Sequence, residues 1–139
     1  MTSMVIIGAG PGGYEAASVA AAGGVDVTVV EETGVGGAAV LTDCVPSKTL
    51  IATAEVTSTL RRAAELGLRH TETFEVDLNA VNSRVSRLAQ AQSDDIGRGL
   101  EQAGVRLISG RARLTTGAPG HLHRVVINDD ETIDADIVL

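Results

Sequence analysis

Two patterns of apolar and polar residues alternate along the chain. Residues 4–7, MVII, are continuously apolar, as expected of a parallel strand buried on both faces. GAGPGG follows, then YEAASVAAAG, whose alanines favour a helix packed closely on a sheet; Gly23 and Gly24 end it. VDVTVV at 25–30 predicts a second strand, closed by Glu31 and Glu32. Strand, helix and strand in so short a span make a minimal βαβ unit.

Residues 33–46 read as a glycine-rich loop, with Pro46 ahead of a helix predicted over 47–66, its exposed face carrying Arg61, Arg62 and Glu65. Residues 67–76 read as a connection. Asp77 suits the N-cap of a second long helix. Along that helix Leu78, Val81, Val85, Leu88, Ile96, Leu100 and Ala103 recur at helical spacing and predict one apolar face, ended by Gly104. The remainder is short strands, VRLISG, RARL, HRVVIN and ETIDADIVL, with turn signals APGH at 118–121 and NDD at 128–130. The pattern predicts an α/β fold: a Rossmann-like βαβ unit, two long helices and a small antiparallel β-meander. DADIVL ends on an apolar run with no turn or polar tail, which predicts a fragment of a longer protein.

Composition narrows the classes. A length of 139 residues suits one domain, and 44% apolar residues suffice for a core. Tyr14 and Phe74 are the only aromatic residues, so the core is aliphatic and no aromatic platform exists for stacking bases. A net charge of -7 without a basic patch argues against nucleic acid and against an anionic membrane surface. Cys44 is the only cysteine, which excludes an internal disulfide and fits a reducing cytoplasm. No run approaches the roughly 20 apolar residues of a membrane span. MTSMVIIGAG lacks the basic start and long apolar region of a secretory signal. A cytoplasmic protein is expected.

The chemistry concentrates in two stretches. In the first, Gly8-x-Gly10-x-x-Gly13, which includes Pro11 and Gly12, lies between a strand and a helix. Gly8 allows the tight turn, Gly10 lets a pyrophosphate approach the backbone, and Gly13 lets helix and strand pack closely. The helix N-terminus offers unpaired N–H groups and positive partial charge. Glu31, at the end of the second strand, is placed to accept two hydrogen bonds from a ribose diol and would repel a 2′-phosphate. The spacing points to dinucleotide binding without separating FAD from NAD.

The second stretch is GGAAVLTDCVPSK at 36–48. GAGPGGYEAA, the strand-ending Glu31 and then GG…CVPSKTLI together resemble the flavoprotein pyridine nucleotide-disulfide oxidoreductases, the group of lipoamide dehydrogenase, glutathione reductase and mercuric reductase. The resemblance covers most of the chain. It implies that the dinucleotide is FAD, that NADH or NADPH is the co-substrate, and that Gly36, Gly37, Ala38 and Ala39 run close to the flavin. In the family pattern, GGxCxxxGCxPSK, two cysteines form a redox-active disulfide. The first falls on Ala39, the second on Cys44, and the glycine before the second on Asp43. Thiol–disulfide exchange needs a resolving partner, so Cys44 alone cannot cycle. The stretch is similar to an actinobacterial branch of lipoamide-dehydrogenase-like proteins that act as NAD(P)H:quinone reductases, which implies a quinone or another small acceptor in place of a disulfide.

The remaining site residues follow from the same resemblance. Lys48 matches the family lysine near the reactive edge of the flavin. Cys44 reads either as a thiolate beside the flavin or as a small buried packing residue, and the loss of its partner favours packing. ISGRARL resembles NGxGKF, which puts Ala112 at the adenine through its backbone N–H and C=O; the alternative is an edge-strand alanine. His70, His121 and His123 lack metal-ligand spacing and read as surface residues, although HLH sets two of them on one strand face. Arg111, Arg113 and Arg124 read as a solvated sheet face.

In the family, a DIVL-like strand leads into an NAD-binding domain and a dimerisation domain. Residues 1–139 are therefore expected to be the N-terminal part of an FAD-binding domain from a homodimeric parent, weak in FAD binding and without turnover alone. The competing readings are dihydrolipoamide-dehydrogenase-like activity, pyridine nucleotide transhydrogenase, a non-catalytic flavin-binding subunit, and a plain NAD-dependent dehydrogenase.

Overall fold

A computed structural model describes residues 1–69, 74–115 and 122–139. Strand β1 (Ser3–Ile7), helix α1 (Pro11–Ala22) and strand β2 (Asp26–Glu31) form the expected βαβ unit, with β1 and β2 parallel and Ile6 beside Val29. Side chains on alternate positions of a strand point to opposite faces, and here both faces are covered. Ile6, Val27 and Val29 pack with Ala17 of α1 and with Leu100 and Val105. Val5 and Val30 face the other way, onto Val125, Ile127 and Ala135. The result is three layers: helices, a parallel sheet and an antiparallel sheet.

Two of the late strands belong elsewhere than the meander. VRLISG forms β3 (Arg106–Ser109), which pairs parallel with β2, Thr28 opposite Arg106. The long helix α4 (Leu78–Gln102) acts as the crossover that returns the chain to this edge, and buried Val105 anchors the entry to β3. ETIDADIVL splits at Asp136. Its first half, β6 (Glu131–Ala135), stays in the antiparallel sheet; its second, β7 (Ile137–Val138), pairs parallel with β1. The carboxylate of Asp136 accepts from the Ser3 N–H at 2.7 Å and the Ser3 hydroxyl at 2.9 Å, which pins the change of sheet. The parallel sheet therefore runs β3-β2-β1-β7, and the meander is β4 (Ala112–Thr115), β5 (His123–Ile127) and β6.

The NDD signal is the β5–β6 turn: Asn128 and Asp129 adopt left-handed φ of 51° and 66°, which short polar side chains tolerate best among non-glycines. The APGH signal at 118–121 lies outside the described residues. Arg124 pairs with Asp134 at 2.7 Å and Arg113 with Asp129 at 3.2 Å, both on the exposed face of the meander.

The helices differ in detail from the expectation. The loop over 33–46 contains a one-turn helix, α2 (Gly37–Leu41). The helix predicted over 47–66 starts at Cys44 and ends at Arg61, as α3 (Cys44–Arg61), followed by a tight turn over Ala63–Leu66. Pro46 does not exclude the earlier start, because the first-turn amides of a helix have no partner within it. Asp77 caps α4 as expected, its carboxylate accepting from Asn79 and Ala80. The apolar face of α4 is largely as expected: Val81, Val85 and Ile96 are half-buried and Leu100 is buried, whereas Leu88 and Ala103 are exposed. Leu78 is 66% exposed, and the buried row runs through Ala89, Ser93 and Leu100. Small residues on that row let the helix approach the loop after β2. No helix among the described residues is long and apolar enough to cross a membrane.

Ile127 is fully buried between the two sheets, whereas Val19 is 72% exposed on α1. Urea unfolding of the whole protein is expected to register a loss of about 2–5 kcal/mol for Ile127→Ala and a change within about 0.5 kcal/mol for Val19→Ala. Equal effects would contradict the layer order.

Candidate functional site

The site is built where β1 and β2 end. Gly8 turns the chain with φ of 101°, its N–H donating to the Val30 carbonyl at 2.8 Å. At Gly13 a Cβ would overlap the Gly8 carbonyl oxygen, so α1 can begin this close to β1 only with glycine there. Gly10 is the N-cap of α1 and brings no side chain to cap it, Pro11 has no N–H to leave unpaired, and the first turn holds no acidic residue. A Cβ at Gly10 or Gly12 would meet nothing within 4 Å. An uncapped helix start with a bare surface, positive in partial charge, is the physical requirement for an anionic group.

The second glycine loop packs against the first. The Gly36 N–H donates to the Ala9 carbonyl at 2.7 Å. A Cβ at Gly37 would stand 3.1 Å from the Gly10 Cα. On its far side the loop is held by α4, where the buried Ser93 hydroxyl donates to the Val35 carbonyl at 2.6 Å. Ala38 and Ala39 follow in α2.

Glu31 joins the two loops. Its Oε2 accepts from the Ala9 N–H at 2.6 Å. Its Oε1 accepts from the Thr33 N–H at 2.7 Å, the Thr33 hydroxyl at 2.9 Å and the Gly34 N–H at 3.1 Å. Partial burial works to raise its pKa, but the donors from Ala9, Thr33 and Gly34 outweigh it and hold the carboxyl below its ordinary value. A carboxylate offers about four acceptor sites over its two oxygens. Oε1 is thus full and Oε2 retains one site, so the expected pair of bonds to a ribose diol is narrowed to one direct bond at Oε2 unless a present donor is displaced.

Beside Glu31 lies a cleft of about 260 Å³, lined by residues that include Gly8, Glu31, Gly110, Arg111 and Ala112. The Asn128 N–H donates to the Arg111 carbonyl at 3.0 Å, and the Asn128 side chain accepts from the Arg111 N–H at 2.9 Å. Ala112, opposite Ile127, is therefore the alternate residue of the ladder, and its own N–H and C=O point off the open edge of β4. That edge faces the cleft and presents a donor and an acceptor side by side, the pattern that complements an adenine edge.

Cys44 and Lys48 stand apart from this cleft, one turn apart on α3. Both are exposed. The packing reading of Cys44 is thereby corrected: the residue opens a helix with no buried side chain and fills no core. His123 is exposed on β5, and His70 and His121 lie outside the described residues. A separate hollow of about 340 Å³ between α3 and α4 is lined by Leu50, Ala54, Val76 and Val81 among others and holds no candidate residue. Ser93 went unnoticed in sequence; its signal is one polar residue on a row of small and apolar ones.

An uncapped helix start, the Glu31 carboxylate and the open edge of β4 thus lie together where β1 and β2 end. The family model for pyridine nucleotide-disulphide oxidoreductases matches residues 2–139. The chain is 44% identical over 148 aligned positions to an NAD(P)H dehydrogenase (quinone) of Mycobacterium tuberculosis, covering 100% of the chain and 30% of that protein. It is 36% identical to a dihydrolipoyl dehydrogenase of Chlamydia muridarum, over 79% of the chain and 23% of the relative. The crystal structure of LpdA from Mycobacterium tuberculosis superposes with a TM-score of 0.88 at 44% identity, over 99% of the chain and 31% of that structure. The chain belongs to the pyridine nucleotide-disulphide oxidoreductase family and spans less than a third of the length of these relatives.

A carboxyl whose pKa is lowered by folding stabilises the fold above its unfolded value, here 4.5, and that contribution fades as pH falls through the folded value. Glu31→Gln is expected to lower the thermal midpoint near pH 7, with the gap to wild type closing progressively below about pH 4.5. Melting curves across pH 3–8 check this, and a gap independent of pH would contradict it.

Proposed function

We propose that, as a member of this family, the whole protein is an FAD-dependent NAD(P)H oxidoreductase that delivers electrons to a quinone rather than to a disulfide. One observation carries the choice of acceptor: Ala39 stands where the family pattern has the first redox cysteine, and Cys44 is the only cysteine in the chain. The relative at 44% identity bears the name of a quinone dehydrogenase, which supports the same reading. The dihydrolipoyl relatives favour a disulfide acceptor, but that chemistry needs a resolving thiol.

In this reading residues 1–139 form the N-terminal part of an FAD-binding domain, and nicotinamide binding and dimerisation are supplied from outside them. The protein works in the cytoplasm as a homodimer. Bound here, FAD would supply the hydride chemistry between NADH or NADPH and the electron acceptor. Gly10, Pro11, Gly12 and Gly13 cradle its pyrophosphate at the start of α1, with Gly8 turning the backbone away. Glu31 takes a ribose hydroxyl on Oε2. The N–H and C=O of Ala112 read the adenine edge. Gly36, Gly37, Ala38 and Ala39 form a wall without bulky side chains along the flavin. Lys48 sets a positive charge at the ring, which favours electron uptake. Cys44 lies beside it as a single thiol and does not cycle.

Anaerobic mixing of the whole protein with NADH or NADPH is expected to bleach the flavin, and a quinone, but not lipoamide, to restore it. Lys48→Met is expected to slow the bleaching by about tenfold or more. Restoration by lipoamide would overturn the choice of acceptor, and an unchanged rate in the variant would remove Lys48 from the mechanism.

A further inference from the structure

The peptide between Val35 and Gly36 is held on both sides. Its carbonyl accepts from Ser93 on α4 at 2.6 Å, and its N–H donates to the Ala9 carbonyl at 2.7 Å. Ser93 is 6% exposed and lies 58 residues away in sequence. It is one of two buried polar residues among those described, the other being Thr28. Gly36 has φ of 95°, and a Cβ there would stand 2.6 Å from the Val40 side chain, so this turn of the loop requires glycine. The next residue, Gly37, abuts Gly10. One hydroxyl on the crossover helix thus sets where the second glycine loop meets the phosphate-binding loop.

We propose that Ser93 is a positioning residue for dinucleotide binding: by holding the Val35–Gly36 peptide it keeps the two glycine loops in the binding-competent arrangement. The inference rests on the FAD reading above and adds a residue that touches no part of the ligand. With the hydroxyl removed, the Val35 carbonyl is left in a part-buried place without its donor, a cost the loop relieves by moving away. The fraction of protein ready to bind then falls, and the apparent dissociation constant rises by the inverse of that fraction.

The test uses the whole protein, stripped of flavin and titrated with FAD, as wild type, Ser93→Ala and Ser93→Thr. The alanine variant is expected to weaken FAD binding by about tenfold or more, and threonine, which keeps the hydroxyl, to restore most of it. Amide exchange at Gly36 in the flavin-free protein is expected to quicken in the alanine variant while that of buried Val125 in the meander stays as in wild type. Should Ser93→Ala fail to fold, Ser93→Cys carries the same test with a similar size and a weaker donor. A dissociation constant within twofold of wild type would overturn the proposal, even where the melting temperature falls, because Ser93 would then serve packing alone. Failure of the wild-type protein to take up FAD would instead sink the reading of the cleft, and this inference with it.

Discussion

Three pieces of backbone meet at the carboxylate of Glu31. Its Oε2 holds Ala9 in the first glycine loop, and its Oε1 holds Thr33 and Gly34 at the start of the second. The residue itself ends β2, whose alternate side chains are buried in both cores. Sheet packing therefore fixes the carboxylate, and the carboxylate fixes the loops. The four donors come at a modest cost, because the group is only partly withdrawn from water and each bond is assisted by charge. The Gly36–Ala9 bond and the Ser93 hydroxyl extend the same tie outward to α4. The loop geometry is thus largely organised by the protein's own bonds.

Much of the fold was legible in sequence where a signal was local. MVII, GAGPGG and VDVTVV mark the βαβ unit, because a buried strand, a glycine turn and an alanine-rich helix each leave a short signature. Asp77 and the NDD turn were legible for the same reason. Sheet membership was not. VRLISG and the two halves of ETIDADIVL carry the same β pattern whether their partners are parallel or antiparallel, and only the α4 crossover and the Asp136–Ser3 bonds decide. The face of α4 was legible through Val81, Val85, Ile96 and Leu100, whereas Leu78 and Leu88 stand exposed and the approach to Val35, made by the Ser93 hydroxyl, leaves no apolar signal.

The site divides in the same way. The roles of Gly8 and Gly13 could be read from spacing, since turn and close packing are backbone needs that only glycine meets. The saturation of Glu31 could not, because its donors are main-chain groups invisible to residue type. Cys44 shows the limit from the other side: a lone apolar-looking residue was expected inside, but it opens a helix that buries none of its own side chains. Against the family pattern, Ala39 replaces the first cysteine and Asp43 the glycine before the second, while Gly36, Gly37, Cys44, Pro46, Ser47 and Lys48 are retained.

The central claim is that these loops form an FAD site, and it is tested most directly by releasing and weighing the cofactor. The whole protein, purified, then denatured with acid, is predicted to release FAD in a ratio of about one per chain. Release of no flavin, or of NAD in its place, would contradict the account.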